Sequence, residues 1–331
     1  MNSSKLIYWF DEIGQEHNDM VGKKCANLGE MTRMGLPVPP GFAISIDMYR
    51  KFIKETGADD EISRYIGELD ELKSMGITVF EEMSRTIRGI IEGKKMPADV
   101  EKEISSYYEQ LCNKVGIPDV AVSVRSAGTA SRPGMFETYL NIIGTEEVLD
   151  KVRKVWASAY TTRAIAFRVN KGIPVIGDEL GVAVPKMVNA RAAGIGFTVD
   201  PVTGDASKII IEANWGLGEG VVSGAESVDS FVVDKQSFEI KERMLGTKGK
   251  RFVNKEMGAD WEDVPEEMRS IPCLSDEEVR EVAKLAKNLE EQLGRPQDIE
   301  WAIDPDFPFP QSMFLLQTRP AKVSVRKPES T

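Results

Sequence analysis

Near its C-terminal end the chain reads Asp298-Ile299-Glu300-Trp301 and, after a short loop, Gln317-Thr318-Arg319-Pro320. Alternating apolar and polar residues predict a β-strand with Asp298, Glu300 and Ala302 on one face. The loop 304–311 would reverse the chain, and a second strand would present Gln317 and Arg319, again on one face. Carboxylates bind hard cations and guanidinium binds phosphate, so the two strands together predict a site for Mg²⁺ and a polyphosphate such as ATP. The alternative is a solvated hairpin with a chance ion pair.

A second motif follows an apolar strand that ends at Arg125. The next residues are small or carry hydroxyl groups, and Gly128 and Thr129 lie among them. Backbone amides of such a loop can approach phosphate oxygens closely, because small residues leave room for them. The loop is therefore a candidate lid over ATP, and the alternative is a purely structural turn.

A third motif places a lysine at the start of a helix. Cys25, Leu28 and Met31 recur at helical spacing and Gly35 follows as a C-cap, so a helix begins after Gly22-Lys23-Lys24. Lys24 then lies at a helix N-terminus, where phosphate also binds favourably.

Two further segments have weaker patterns. Lys186-Met187-Val188 ends a predicted strand and is either the segment that meets adenine or an ordinary core strand. The run Asn214 to Gly220 contains three glycines, but it does not match G-x-G-x-x-G, and the chain has no G-x-x-x-x-G-K-[ST] motif. Dinucleotide-binding and P-loop folds are therefore not expected.

Composition limits the class of protein. A net charge of -11 and a pI near 5.0 disfavour a nucleic-acid partner, which requires a basic surface. The three cysteines are widely spaced and lack a C-x-x-C pair, which argues against a zinc site and a disulfide framework. We expect no secretory signal, because the apolar run near the start of this sequence is short and is followed by acidic residues, and no apolar run reaches the roughly 18 residues of a membrane span. We expect a cytoplasmic protein with no membrane association.

The chain of 331 residues exceeds the usual size of one hydrophobic core, so two lobes are expected. Residues 1–180 have mostly helical patterns, including one long helix from Val148 toward Arg168, whereas residues 181–322 have short strand patterns. One helix interrupts these strands, with a capping box at Ser275 and Glu278 and a stop at Gly294. Residues 323–331 are expected to be a loose tail.

Taken in order, these motifs resemble the N-terminal ATP-binding domain of the phosphoenolpyruvate synthase and pyruvate phosphate dikinase family. The resemblance spans essentially the whole chain, and the segments that carry it are Val21–Glu30, Val38–Phe42, Val124–Ser126, Pro133–Met135 with Glu137-Thr138, Trp215–Glu219, Asp298–Trp301 and Gln317–Pro320. Two departures concern the site: the family usually has Gly-Gly-Lys where this chain has Gly22-Lys23-Lys24, and a glutamine is common where this chain has Pro185.

The resemblance implies an α+β fold of the ATP-grasp type, with ATP in a cleft between two lobes, 1–180 and 181–322. It implies that Lys24 and Arg125 contact phosphates and that Arg319 stabilises the transferring group; these three would be catalytic. Asp298, Glu300 and Gln317 would hold the metal or the ribose, with Glu300 and Gln317 as the expected Mg²⁺ ligands. The full expected ATP-binding set is Lys24, Arg125, Gly128, Thr129, Lys186, Met187, Val188, Glu219, Asp298, Gln317 and Arg319.

In this family the phosphate passes to a histidine on a separate swivelling domain. The only histidine here is His17, in a polar acidic segment, and we expect it to have no catalytic role. The acceptor histidine is therefore expected on a larger partner subunit. A freestanding ATP-binding half resembles the smaller subunit of phenylphosphate synthase, which implies phosphorylation of phenol with release of AMP and phosphate. The alternatives are the ATP-binding domain of a phosphoenolpyruvate synthase or of a rifampin phosphotransferase, and a nucleotide-binding regulatory module without catalysis.

Overall fold

The computed structural model describes residues 5–69, 76–130, 132, 134–176, 178–224 and 227–322. The chain divides into two compact units. Unit 1 combines the chain up to Arg33 with Pro40–Met187, and unit 2 combines Met34–Pro39 with the chain from Val188 onward. The predicted tail, 323–331, lies outside the described residues. No helix in the described part of the chain is long and apolar enough to cross a membrane.

Unit 1 contains an antiparallel five-stranded sheet with the order β1-β2-β5-β3-β4. The strands are β1 Ile7–Trp9, β2 Gly41–Ile44, β3 Val122–Ala127, β4 Thr138–Ile142 and β5 Gly181–Pro185. The helices are α1 Asn18–Val21, α2 Lys23–Arg33, α3 Ile46–Glu55, α4 Ala58–Gly67, α5 Ile77–Gly93, α6 Ala98–Val115, α7 Thr145–Ala157 and α8 Thr162–Lys171.

The core of unit 1 lies between these helices and the sheet. Trp156 of α7 is fully buried, and its ring centroid lies 4.9 Å from that of Phe52 and 6.0 Å from that of Tyr49. The helix predicted from Val148 toward Arg168 is two helices, because Thr161 caps a new one with its side-chain oxygen on the Ala164 N–H. Apolar spacing continues across the break, so periodicity alone did not reveal it.

Unit 2 contains an antiparallel six-stranded sheet with the order β13-β12-β6-β7-β8-β9, and a separate hairpin of β10 and β11. The strands are β6 Ala192–Phe197, β7 Lys208–Trp215, β8 Asp229–Asp234, β9 Ile240–Met244, β10 Lys250–Asn254, β11 Ala259–Asp263, β12 Gln297–Ile303 and β13 Met313–Pro320. The helices are α9 Glu219–Val222, α10 Glu266–Arg269 and α11 Asp276–Leu293. The sequence had not predicted β9, β10 and β11, whose residues are mostly exposed or half-buried and lack strong apolar alternation.

One face of the six-stranded sheet is closed by α11, which packs on β6, β7, β8, β9 and β12. The predicted capping box is confirmed: the Glu278 N–H donates to Ser275 Oγ and the Ser275 N–H to Glu278 Oε2. Trp301 fills this core, and a Cβ on Gly194 of the next strand would lie 2.8 Å from its ring. Because side chains alternate along a strand, the neighbours of Trp301 point to the opposite face.

Candidate functional site

The predicted acidic hairpin forms in unit 2 with the expected alternation. Strands β12 and β13 pair Asp298 with Arg319 and Glu300 with Gln317. The Arg319 Nε donates to Asp298 Oδ2 at 3.2 Å, and the Gln317 amide nitrogen donates to Glu300 Oε1 at 3.2 Å. Ile299 and Trp301 lie on the face that α11 covers. The four polar side chains therefore share the other face of the sheet.

The Asp298 side chain is largely buried, with 13% of it exposed. Burial raises the pKa of Asp298, and the charge of Arg319 only partly opposes the shift. Its Oδ1 is buried and has no hydrogen-bond partner among the described residues. A buried carboxylate oxygen of this kind is costly unless a ligand completes its contacts. Asp298 is therefore suited to receive a cation or a hydrogen-bond donor.

The donor set fits Mg²⁺ rather than a metal held by protein alone. In the described part of the chain, no three acidic, histidine or cysteine side chains gather as a metal cage. Mg²⁺ in nucleotide sites is commonly held by one or two carboxylates together with phosphate oxygens. Gln317 donates its amide nitrogen to Glu300, and an amide also carries an oxygen of the kind that ligates Mg²⁺.

In unit 1, a close backbone approach brings the start of α2 against the end of β3. Gly22 has φ 82° and ψ 155°, and a Cβ there would lie 2.0 Å from the carbonyl oxygen of Ala127. The Lys23 N–H donates to the Gly128 carbonyl at 2.9 Å. Only glycine tolerates both this conformation and this distance. The glycine thus sets where Lys24 lies relative to the loop after β3.

Lys24 and Arg125 belong to the same neighbourhood. Burial raises the pKa of the Cys25 thiol to about 12, and the positive charges of Lys24 and Arg125 oppose that shift. Arg125 lies on β3 opposite Ala183 of β5 and Thr138 of β4. Two cations from separate elements therefore gather where α2 begins, where the helix dipole adds further positive potential.

The loop after β3 borders a cavity of about 100 Å³. The described residues that line it include Gly128, Thr129, Arg132 and Asp178. The Thr129 carbonyl accepts a hydrogen bond from the Asn18 side chain at 3.3 Å. Arg132 pairs with Asp178, which also binds the fully buried Arg168 at 2.8 Å. Residue spacing could not predict this anchoring by Asp178, because its partners are distant in sequence.

The segment expected to meet adenine is tied into unit 1 by its backbone. The Lys186 N–H donates to the Pro40 carbonyl and the Met187 N–H to the Ala121 carbonyl, both at 2.8 Å. These two N–H groups are therefore committed to protein contacts. Val188 begins unit 2, where it packs with Ala193 and Ala302.

The glycine-rich run before Glu219 has a packing role. Gly216 has φ 78°, and a Cβ there would lie 2.3 Å from the Phe252 carbonyl oxygen. The Leu217 N–H donates to that same carbonyl at 2.7 Å, which joins the run to β10. Glu219 is exposed at the first residue of the short α9.

His17, the one histidine, has a structural contact. Its Nδ1 accepts the Gly14 N–H at 3.0 Å, and Glu16 lies 3.3 Å away.

The sequence patterns did not identify Glu212 of β7 as a site residue. Glu212 lies in register with Ile195 of β6, which lies in register with Glu300 of β12. Strand pairing decides that register, so residue spacing along the chain could not identify Glu212.

Comparisons with known proteins agree with the resemblance. A family model described as "Pyruvate phosphate dikinase, AMP/ATP-binding domain" matches residues 18–331. The chain is 41% identical to a probable phosphoenolpyruvate synthase of Staphylothermus marinus over 98% of this chain and 42% of that relative. It is 40% identical to a probable phosphoenolpyruvate synthase of Methanocaldococcus jannaschii, over 96% of this chain and 27% of that relative. It is 38% identical to a phosphoenolpyruvate synthase of Aeropyrum pernix, over 98% of this chain and 43% of that relative.

The chain thus spans less than half the length of these relatives. The family model, by contrast, covers nearly all of this chain. Its matched residues include the polar face of the hairpin and the Lys24–Arg125 neighbourhood. The chain therefore belongs to the pyruvate phosphate dikinase AMP/ATP-binding domain family.

Proposed function

We propose that this chain is the ATP-binding part of a dikinase of the phosphoenolpyruvate synthase type. The observation that carries the proposal is the polar face of β12 and β13, with a buried Asp298 oxygen that has no hydrogen-bond partner among the described residues. A magnesium-bound polyphosphate provides both a cation for these oxygens and anionic oxygens for Arg319. The protein would transfer a phosphoryl group from ATP to a histidine outside this chain; one water is consumed, and AMP and phosphate are released.

Within this proposal the fold is of the ATP-grasp type. Its two lobes, expected at residues 1–180 and 181–322, are assigned to unit 1 and unit 2, because Gly181–Pro185 forms a strand of the unit 1 sheet. Lys24 and Arg125 contact phosphate oxygens, and the loop at Gly128 and Thr129 covers them. Lys24 is favoured over Lys23, because the charges of Lys24 and Arg125 both act on the Cys25 thiol, so these two cations share one neighbourhood.

On the sheet, Asp298, Glu300 and Gln317 hold the magnesium and the nucleotide, and Arg319 stabilises charge on the transferring group. Bound Mg²⁺ would neutralise phosphate charge and fix the geometry of the phosphate chain. Adenine contacts are assigned to the segment of Lys186, Met187 and Val188. The backbone N–H groups of Lys186 and Met187 are not part of this assignment, because they donate to the Pro40 and Ala121 carbonyls. Glu219, exposed at the start of α9, is a further nucleotide contact.

The comparisons bear on the phosphoryl acceptor. The three relatives described above are named phosphoenolpyruvate synthase or probable phosphoenolpyruvate synthase. They favour the alternative of a phosphoenolpyruvate synthase over the phenol-phosphorylating reading. The histidine is accordingly assigned to another part of a longer protein or to a partner subunit.

Calorimetric titration with ATP tests this proposal directly. ATP should bind in the presence of Mg²⁺, and Glu300→Gln should weaken the dependence of that binding on Mg²⁺, because it removes a charged ligand. Glu242→Gln, at an exposed glutamate on β9, is the matched control. Absence of ATP binding by the folded protein with Mg²⁺ would refute the proposal. Tight binding without transfer to a histidine-carrying partner would instead support the regulatory module.

A further inference from the structure

Glu212 lies on the same sheet face as the proposed ATP and magnesium residues. It pairs with Ile195 of β6, which pairs in turn with Glu300 of β12. Its neighbours along β7, Ile211 and Ala213, are fully buried on the face that α11 covers. Alternation therefore directs the Glu212 side chain to the opposite face, which carries Glu300.

No described side chain stabilises the charge of the Glu212 carboxylate. The side chain is half-buried and makes no hydrogen bond or ion pair with the described residues. Burial raises the pKa of Glu212, with no neighbouring charge contributing to the shift. Its partners in register are Ile195 and Ser230. By contrast, the buried Asp229 of β8 binds Lys248 Nζ at 2.6 Å and two backbone N–H groups. A half-buried carboxylate without such contacts is costly, unless a ligand completes them.

Geometry limits what that ligand can be. One strand separates β7 from β12, so the backbones of Glu212 and Glu300 lie roughly 9–10 Å apart. Mg²⁺ binds its oxygen ligands at about 2.1 Å. Among the described residues no three acidic, histidine or cysteine side chains gather closely enough to hold one ion, so Glu212 does not join Asp298 and Glu300 as a metal ligand. A phosphate oxygen would repel the carboxylate. Neutral N–H and O–H donors remain. The adenine amino group is assigned to the segment of Lys186, Met187 and Val188, and the two oxygens of a carboxylate match two adjacent hydroxyl groups.

We propose that Glu212 accepts hydrogen bonds from the ribose hydroxyls of the bound nucleotide. The inference rests on the proposed function, since it requires the phosphates to lie at Glu300, Gln317 and Arg319. The half-buried side chains of Ile195, Phe197 and Ile210 separate the two ends of this surface. They form an apolar floor between the acidic hairpin and Glu212. Glu212 is thus a specificity residue for ribonucleotides.

The test compares binding of ATP, 2′-deoxy-ATP and 3′-deoxy-ATP, each with Mg²⁺, by calorimetry. The wild-type protein should bind at least one deoxy analogue roughly 10- to 100-fold more weakly than ATP, the range for one hydrogen bond to a charged group. Glu212→Gln should lose a similar factor for ATP and most of the discrimination. Glu242→Gln, an exposed glutamate on the same sheet, should behave as wild type.

The outcomes separate the two proposals. If the wild-type protein binds ATP and both analogues equally, the role of Glu212 is refuted and ATP binding stands. If Glu212→Gln is folded by circular dichroism and keeps the full discrimination, the role is also refuted. If the wild-type protein binds none of the three, both the proposed function and this inference fail.

Discussion

Replacement of Gly22 by alanine should destabilise unit 1 by more than the usual cost of a positive φ angle. Gly22 has φ 82° and ψ 155°, a region that glycine alone populates readily, and occupying it costs other residues about 1–3 kcal/mol. The added Cβ would also lie 2.0 Å from the Ala127 carbonyl oxygen, so the backbone must move. We expect a total loss of about 3 kcal/mol or more, since overpacking by itself typically costs about 1–3 kcal/mol.

Gly116 provides a matched control in the same unit. It has φ 74° and ψ 21° at the end of α6, and a Cβ there would meet nothing within 4 Å. Gly116→Ala should therefore cost only the left-handed backbone term, about 1–2 kcal/mol. Urea unfolding followed by circular dichroism gives the free energy of unfolding of each variant. Equal losses in the two variants would refute the argument from close approach.

The same pair of variants tests how Gly22 positions the site. The contact of Lys23 with Gly128 holds the start of α2, so a displaced helix would move Lys24. Under conditions in which both variants are folded, Gly22→Ala should bind ATP more weakly than the wild type. Gly116→Ala should bind it normally. Unchanged ATP affinity in folded Gly22→Ala would show that this approach does not position Lys24.

Three other outcomes are expected. Arg319→Ala should reduce transfer to the histidine-carrying partner more than it reduces ATP affinity, and equal losses would assign Arg319 to binding alone. Lys248→Met should lower the free energy of unfolding by about 3–5 kcal/mol, because Asp229 remains buried without its cation; a change below about 1 kcal/mol in urea unfolding would contradict this. Burial raises the pKa of Glu212 in the folded protein above its ordinary value of 4.5, so folding favours the protonated form. As pH rises above 4.5, the free energy of unfolding of the ligand-free wild type should therefore fall relative to that of Glu212→Gln. Urea unfolding between about pH 4 and about pH 8 measures that slope, and parallel curves for the two proteins would refute it.

The polar hairpin was predictable because its information is local. Alternation along β12 assigned Asp298 and Glu300 to one face, and the confirmed pairing joins Glu300 to Gln317. The helix that carries Lys24 and the capping box of α11 are likewise set by neighbouring residues. The capping box is confirmed, and α2 begins at Lys23, two residues earlier than predicted. The break at Thr161 was missed because the apolar repeat of the helix continues through it. Strands β9 to β11 were missed because their apolar alternation is weak.

By itself the sequence determined the family, the acidic strand pair and the helix that carries Lys24, because each is encoded by residues close together in the chain. Only the tertiary structure decided that Glu212 shares a face with Glu300, because that neighbourhood depends on the register across β6. It also decided that Asp178 holds both Arg132 and Arg168, since long-range packing alone brings these charges together. Side-chain periodicity is a property of each strand or helix, whereas register, burial and charge pairing arise from how these elements pack.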